Sequence, residues 1–340
     1  MHDRLDGPIR DRSAWKGPDF ADDDSWIYEL NDAQRAEIDA ALHRITAKGL
    51  APLEFNRDEF ALPRLAPAIV EFLDELENGR GFLVLRGIPV ERYDEAALYR
   101  LYWGLAVHFG DMISQNAKGD LIGRVENLGD DIHAFNARGY TTDAELHPHN
   151  DSSDIVGLLC VRKAREGGET IIASAMAIYN DIAQHHPQFL DVLYAGFHYD
   201  IRGEGKGRDP NEVTRNRVPV YSYHDGRLSC RYNQRAILTA VDKVGRPLSR
   251  TEADAVEYIA ARARDPAFNL TFSMQPGDLQ LLNNHMILHA RTRFFDEPDP
   301  QRRRLMLRLW VNRRAGEGRA LAPEFADRYN TGHRQGVAAG

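Results

Sequence analysis

The stretch Leu146-His-Pro-His-Asn-Asp151, followed by Ile155-Val-Gly-Leu-Leu-Cys-Val161, constrains this chain more than any other. The apolar run is β-branched and leucine-rich, which predicts a buried strand. Side chains on a strand alternate with period two, so His149 and Asp151 are predicted to point one way and Asn150 the other. A further imidazole, His289, ends the β-rich stretch Leu279-Gln-Leu-Leu-Asn-Asn-His-Met-Ile-Leu-His289. Two imidazoles and one carboxylate can share one face of a metal ion and leave the other face open for a co-substrate and dioxygen. That facial triad is the ligand set of non-haem Fe(II) oxygenases.

The neighbouring segments add a second kind of chemistry. Gly167-Gly168 reads as a turn, and Thr170-Ile-Ile-Ala-Ser174 as another strand. Near the C-terminus Arg302-Arg-Arg-Leu-Met-Leu-Arg-Leu-Trp-Val311 places Arg304, Met306 and Arg308 on one predicted strand face. An arginine is costly to bury unless it meets an anion, so these two suggest carboxylate-binding groups. Blander readings stand beside each residue. His147 and His149 could form a zinc pair, but a third local ligand is missing. His285 and His289 could be two ligands on a helix, although the Asn283-Asn284 turn favours His289 alone. Arg308 could serve a structural ion pair, and Thr170 could be an ordinary strand residue.

Taken together, the HxD triplet, the Gly-Gly-Glu-Thr segment, the distal His after an Asn-rich turn and the late arginine pair resemble a known group. It is the taurine dioxygenase and 2,4-dichlorophenoxyacetate dioxygenase superfamily, which includes clavaminate synthase-like enzymes. The resemblance runs from about Gly81 to about Leu321. It implies a double-stranded β-helix, or jelly roll, that is mainly β with flanking helices; periodicity alone supports only mixed α and β. It implies Fe(II) held by His149, Asp151 and His289, with 2-oxoglutarate as co-substrate and dioxygen as oxidant. Thr170 and Arg304 would bind the far carboxylate of 2-oxoglutarate, and Arg308 would lie at the prime substrate. The implied reaction oxidises an unactivated C–H bond and decarboxylates 2-oxoglutarate to succinate and CO2. Asp151 argues against halogenation, because halogenases of this mechanism carry a small residue there. The chain also departs from the taurine enzyme. The His289-to-Arg304 spacing is wider, His285 replaces a more usual Arg or Tyr, and no histidine matches the sulfonate ligand. Taurine itself is therefore not the expected substrate. Arg308 favours a small anion such as a carboxylate or amino acid. Gln115, Arg138, Tyr140 and Arg231 are further substrate-site candidates, in loops before the iron strand or on a strand flanking the mouth. A zinc- or manganese-dependent enzyme on the same barrel, or a silent small-molecule binder, is the alternative.

The chain has 340 residues, and three regions are expected: an N-terminal arm with helices over 1–80, the oxygenase domain over 81–321 and a tail over 322–340. The arm is anchored by Trp15 and Trp26, and the tail is expected to fray beyond Glu324. Residues 203–216, rich in Gly and charge, read as a mobile loop and candidate lid. Asn31 and Ser249 open helices as capping residues, and Asp225-Gly226 joins a hairpin. No apolar run is long enough to span a bilayer, and the charged N-terminus lacks a signal core. Two cysteines cannot build a disulfide framework, so the cytosol is the expected compartment. A net charge of -8 argues against nucleic-acid partners. The expected partner is a small-molecule substrate, and a homo-oligomer stays open.

Overall fold

Two β-sheets face each other across a narrow lumen, and each carries helices on its outer side. The structure, a computed structural model, describes residues 4–131, 139–330 and 336–337. Among these, the larger sheet runs in the order Ile27–Glu29, Phe82–Arg86, Leu279–Asn283, Ile155–Arg162, Leu305–Asn312, Asp111–Met112, with Ile122–Val125 also paired to Leu305–Asn312. The smaller runs Asn269–Phe272, Thr170–Ser174, Ile287–Arg291, Leu146–His149. The pairing is antiparallel apart from Ile27–Glu29, which lies parallel to Phe82–Arg86. Successive strands cross between sheets: Ile155–Arg162 is followed by Thr170–Ser174, and Leu279–Asn283 by Ile287–Arg291. This is the expected double-stranded β-helix.

Alternation along each strand decides what the lumen contains. Between the sheets Phe82, Val84, Val156, Leu282 and Trp310 meet Ile172 and Ile287 from the opposite sheet. The outward residues Leu83, Leu85, Ile155, Leu159 and Leu307 pack on three helices, Asp32–Ala47, Ala66–Asn78 and Glu95–Ala106, through Ile38, Phe72 and Leu101. Ala173 and Leu288, outward from the smaller sheet, meet Ala175–His185, Gln188–Ala195 and Arg250–Arg264. A strand covered on both faces reads as an unbroken apolar run. Each fully buried Leu or Ile contributes about 1.5–3 kcal/mol, so this packing can hold polar groups rigidly at the open end.

Local signals behave as their chemistry requires. Asn31 and Gln34 form a reciprocal capping box, as do Ser249 and Glu252. Asp225 and Gly226 both have positive φ, the geometry of a two-residue hairpin turn joining Tyr221–His224 to Arg227–Cys230. Trp15 and Trp26 pack at a tilt against Phe82, at centroid distances of 5.1 and 5.9 Å, and anchor the arm. No helix among the described residues is long and apolar enough to cross a membrane.

Three expectations are corrected. The hairpin ends at Cys230, and Asn233 caps an unforeseen helix, Gln234–Val244. Arg231 therefore lies beyond the strand, in the junction. Arg304 precedes its strand, whose pairing shifts register between Leu305 and Met306, so simple alternation does not relate it to Arg308. The tail does not fray at Glu324: Phe325, Arg328, Tyr329 and Asn330 are all buried. Few apolar residues are needed there, because Phe325 inserts fully into the helix-side core and Arg328 donates to the Asp151 carbonyl. The 203–216 loop is tied across its base by an Asp200–Val213 bridge and by the Thr214 N–H donating to the Tyr199 carbonyl.

Candidate active site

His149 and His289 are cross-strand neighbours on the smaller sheet, with ring centroids 4.4 Å apart. Asp151 lies two residues past the end of its strand, so strand alternation alone does not aim it. Its N–H instead donates to Asn284 Oδ1 at 3.2 Å, and its carbonyl accepts from Arg328. Asn150 turns away, donating to the Ile287 carbonyl and accepting from the Tyr232 N–H, both at 2.7 Å. His149 Nε2 lies 4.0 Å from Asp151 Oδ1, and His289 Nε2 3.8 Å from Asp151 Oδ2. One ligand atom from each residue falls within 4.8 Å of the others, the one such His/Cys/Asp/Glu group among the described residues. His149 Nδ1 faces the His147 carbonyl at 2.8 Å, which leaves Nε2 for an ion.

The protonation states suit a cation. Burial lowers the pKa of His149, and burial with the adjacent His149 pulls His289 down to about 3. Burial pushes Asp151 up, but Arg308, His289 and His149 outweigh it and hold the carboxyl at about 2. Neutral imidazoles and an ionised carboxylate are the forms a metal needs. The competing histidine pairs do not form a site. His147 is exposed and its ring meets Arg264 at 3.0 Å, whereas His285 is buried against Asp154 Oδ1 at 2.8 Å.

Beside the triad lies a buried cationic hole. Arg291 shares the inward face of its strand with His289, two residues on, or about 7 Å at strand rise. Thr170 is its cross-strand partner and is buried. Arg291 and Arg304 flank Phe294, their guanidinium carbons 4.6 and 5.0 Å from the ring centroid. Both are buried, and Arg291 Nε and Nη1 and Arg304 Nη1 meet no protein acceptor. Burial lowers the pKa of Arg291 to about 9 and of Arg304 to about 10. Buried guanidinium donors without acceptors fit an incoming carboxylate. The Gly-Gly turn belongs to the same hole. A Cβ at Gly167 would strike the Arg293 carbonyl at 2.1 Å, and one at Gly168 would press on Arg304 Nε at 3.3 Å.

On the other side of the triad a cavity of about 690 Å³ opens, lined among others by His149, Asp151, Gln115, Tyr140, Arg231 and Arg308. Arg308 is fixed at its edge. Its Nε donates to Gln115 Oε1 at 2.7 Å, its Nη1 lies 3.5 Å from Asp151 Oδ2, and Tyr140 and Trp310 flank it at 4.8 and 5.1 Å. Gln115 is thus engaged in orienting Arg308. Arg138 lies outside the described residues. Sequence reasoning missed Arg202, Tyr199, Arg328 and Tyr329, which also line the cavity. No local pattern marks them, because loop and tail residues become site residues only through packing.

Residues 46–310 match the family model described as taurine catabolism dioxygenase TauD, TfdA family. The FR-33289 synthase of Streptomyces rubellomurinus is 33% identical over 343 residues, covering 100% of this chain and 98% of that protein. Among solved structures, an asparagine oxygenase with Fe(II), (2S,3S)-3-hydroxyasparagine and succinate superposes with a TM-score of 0.67 at 18% identity, covering 84% of this chain and 93% of that one. The non-haem iron oxygenase OrfP, with Fe, succinate and (3R,4R)-dihydroxy-L-Arg, gives a TM-score of 0.62 at 16% identity over 84% of this chain and 94% of that one. These two share its fold. With the family model spanning most of its length and the facial triad assembled, this chain belongs to the TauD, TfdA family of dioxygenases.

Proposed function

We propose that this chain is an Fe(II)- and 2-oxoglutarate-dependent oxygenase that oxidises an unactivated C–H bond of a small anionic substrate, with conversion of 2-oxoglutarate to succinate and CO2. The observation that carries this is the pairing of a facial triad with a buried, acceptor-poor arginine hole, in which Arg291 shares a strand with His289. The fold neighbours support it, one crystallised with Fe(II) and succinate and another with Fe and succinate. A zinc hydrolase would have no use for the second hole.

His149, Asp151 and His289 would hold the iron, which when bound activates dioxygen at the expense of the co-substrate. The chain's own work is positioning. Arg304, Arg291 and Thr170 receive the far carboxylate of 2-oxoglutarate, and Phe294 keeps water from their guanidinium faces. Arg308 keeps Asp151 ionised and presents its remaining donors to the substrate cavity. Gln115 holds Arg308 in that orientation. Cys160 and Cys230 are buried free thiols, in keeping with the cytosol.

The reading is tested by oxygen uptake and succinate release with Fe(II), 2-oxoglutarate and a panel of small acids. Turnover should vanish when Zn(II) replaces Fe(II). Absence of succinate with the iron-loaded protein across the panel would overturn it. Arg308→Gln should raise the KM of the prime substrate by about tenfold to 100-fold, the worth of a charge-assisted hydrogen bond. Titration of 2-oxoglutarate should be little changed in that variant. Loss of 2-oxoglutarate binding would instead move Arg308 to the co-substrate.

A further inference from the structure

We propose that Arg231 and Arg328 form a second anion subsite in the substrate cavity, built to grip a doubly charged tetrahedral group of the phosphoryl or phosphonyl class on the prime substrate. This deepens the oxygenase reading and takes the cavity beside the triad as the substrate pocket.

Both arginines line the cavity that holds His149 and Asp151. They are only 7% and 6% exposed. Arg231 Nη1 and Arg328 Nη2 meet no protein acceptor. Their seats are rigid. Arg231 is fixed by its N–H donating to the Val220 carbonyl at 2.8 Å and by its carbonyl accepting from the Tyr199 hydroxyl at 2.7 Å. Its guanidinium lies 4.6 Å over the Tyr199 ring. The Arg328 guanidinium carbon lies 5.8 Å from the centroid of the buried Phe325 ring, and its Nη1 is committed to the Asp151 carbonyl. The two cations also feel each other: burial and then Arg328 depress the pKa of Arg231, to about 9.

A fold does not keep two like charges buried together with unmet donors for its own stability. Asp327 offsets part of the charge on Arg231 and Asp151 part of that on Arg328, and the unmet Nη1 and Nη2 donors are left for an incoming anion. A carboxylate brings one charge and two oxygens, which a single guanidinium fork satisfies. A phosphoryl or phosphonyl dianion brings two charges and three oxygens, enough for both forks. Arg308 is not part of this pair, because its Nε and Nη1 are directed to Gln115 and Asp151 and only its remaining donors face the cavity. The nearby Asp200 is likewise occupied, by Lys243 at 2.7 Å.

The test is calorimetric titration of the full chain, loaded with Fe(II) and saturating 2-oxoglutarate under argon. Saturating co-substrate blocks the Arg291–Arg304 hole. The probes are methylphosphonate, methanesulfonate and acetate at pH 8, where the first is largely a dianion and the second has the same shape with one charge. Methylphosphonate should bind at least about tenfold more tightly than either monoanion. Arg231→Gln and Arg328→Gln should each lose about tenfold or more of that affinity, and Arg231→Lys should restore part of it. Iron content and melting temperature separate a misfolded variant from a specific loss, and Arg328→Gln, in the tail, gives an independent arm. Equal affinity for sulfonate and phosphonate, or full affinity in both folded Gln variants, would overturn the subsite. This binding readout needs no turnover, so a failed oxygenase assay and a failed subsite are told apart.

Discussion

Asp151→Ala should retain iron at least about 100-fold more weakly than the parent chain and should release no succinate above background. Outer partners of metal ligands already carry about 10–100-fold in affinity, and Asp151 is placed as a ligand itself. It is the one carboxylate of the triad, buried, and held ionised by Arg308 and the two imidazoles. Its removal takes a negative charge from the centre and leaves Arg308 Nη1, now 3.5 Å from Oδ2, facing two imidazoles. That cation then opposes metal entry. Its main chain should stay in place, since Asn284 and Arg328 hold the N–H and carbonyl rather than the carboxylate. Metal analysis after desalting, with thermal unfolding as the check on folding, reads the outcome. Full iron occupancy with normal oxygen uptake would remove Asp151 from the ligand set.

Arg304→Ala should raise the 2-oxoglutarate KM by about two to three decades. Losing one partner of a buried Arg–carboxylate pair costs about 3–5 kcal/mol, and each 1.4 kcal/mol is about tenfold. The free protein should lose little stability, because Arg304 Nη1 has no acceptor there and burial already works against its charge. Arg291→Ala makes a useful contrast. Its Nη2 donates to the carbonyls of Thr142 and Ala144, just before the strand that carries His149. That variant should weaken 2-oxoglutarate and also lower the melting temperature. An unchanged KM in Arg304→Ala, with a large rise in Arg291→Ala, would transfer the carboxylate contact to Arg291.

The chain by itself determined the strands that carry His149 and His289 and most helix starts. Each rests on short-range physics: period-two alternation, reciprocal capping by Asn31 with Gln34 and Ser249 with Glu252, and positive φ at Asp225-Gly226. The jelly roll was legible through the family resemblance, since periodicity alone does not say which sheet each strand joins. Tertiary structure alone decided the rest. Asp151 is aimed by Asn284, a residue far away in the chain, after its own strand has ended. Gln115 became the support of Arg308, and Arg291 joined Arg304 around Phe294. Arg328 sits in a tail whose polar sequence reads as frayed, yet it is buried in the cavity wall. The physical reason is common to all four. Local periodicity tells which way a side chain points, but a charged group is stabilised or stranded only by what the folded chain brings against it.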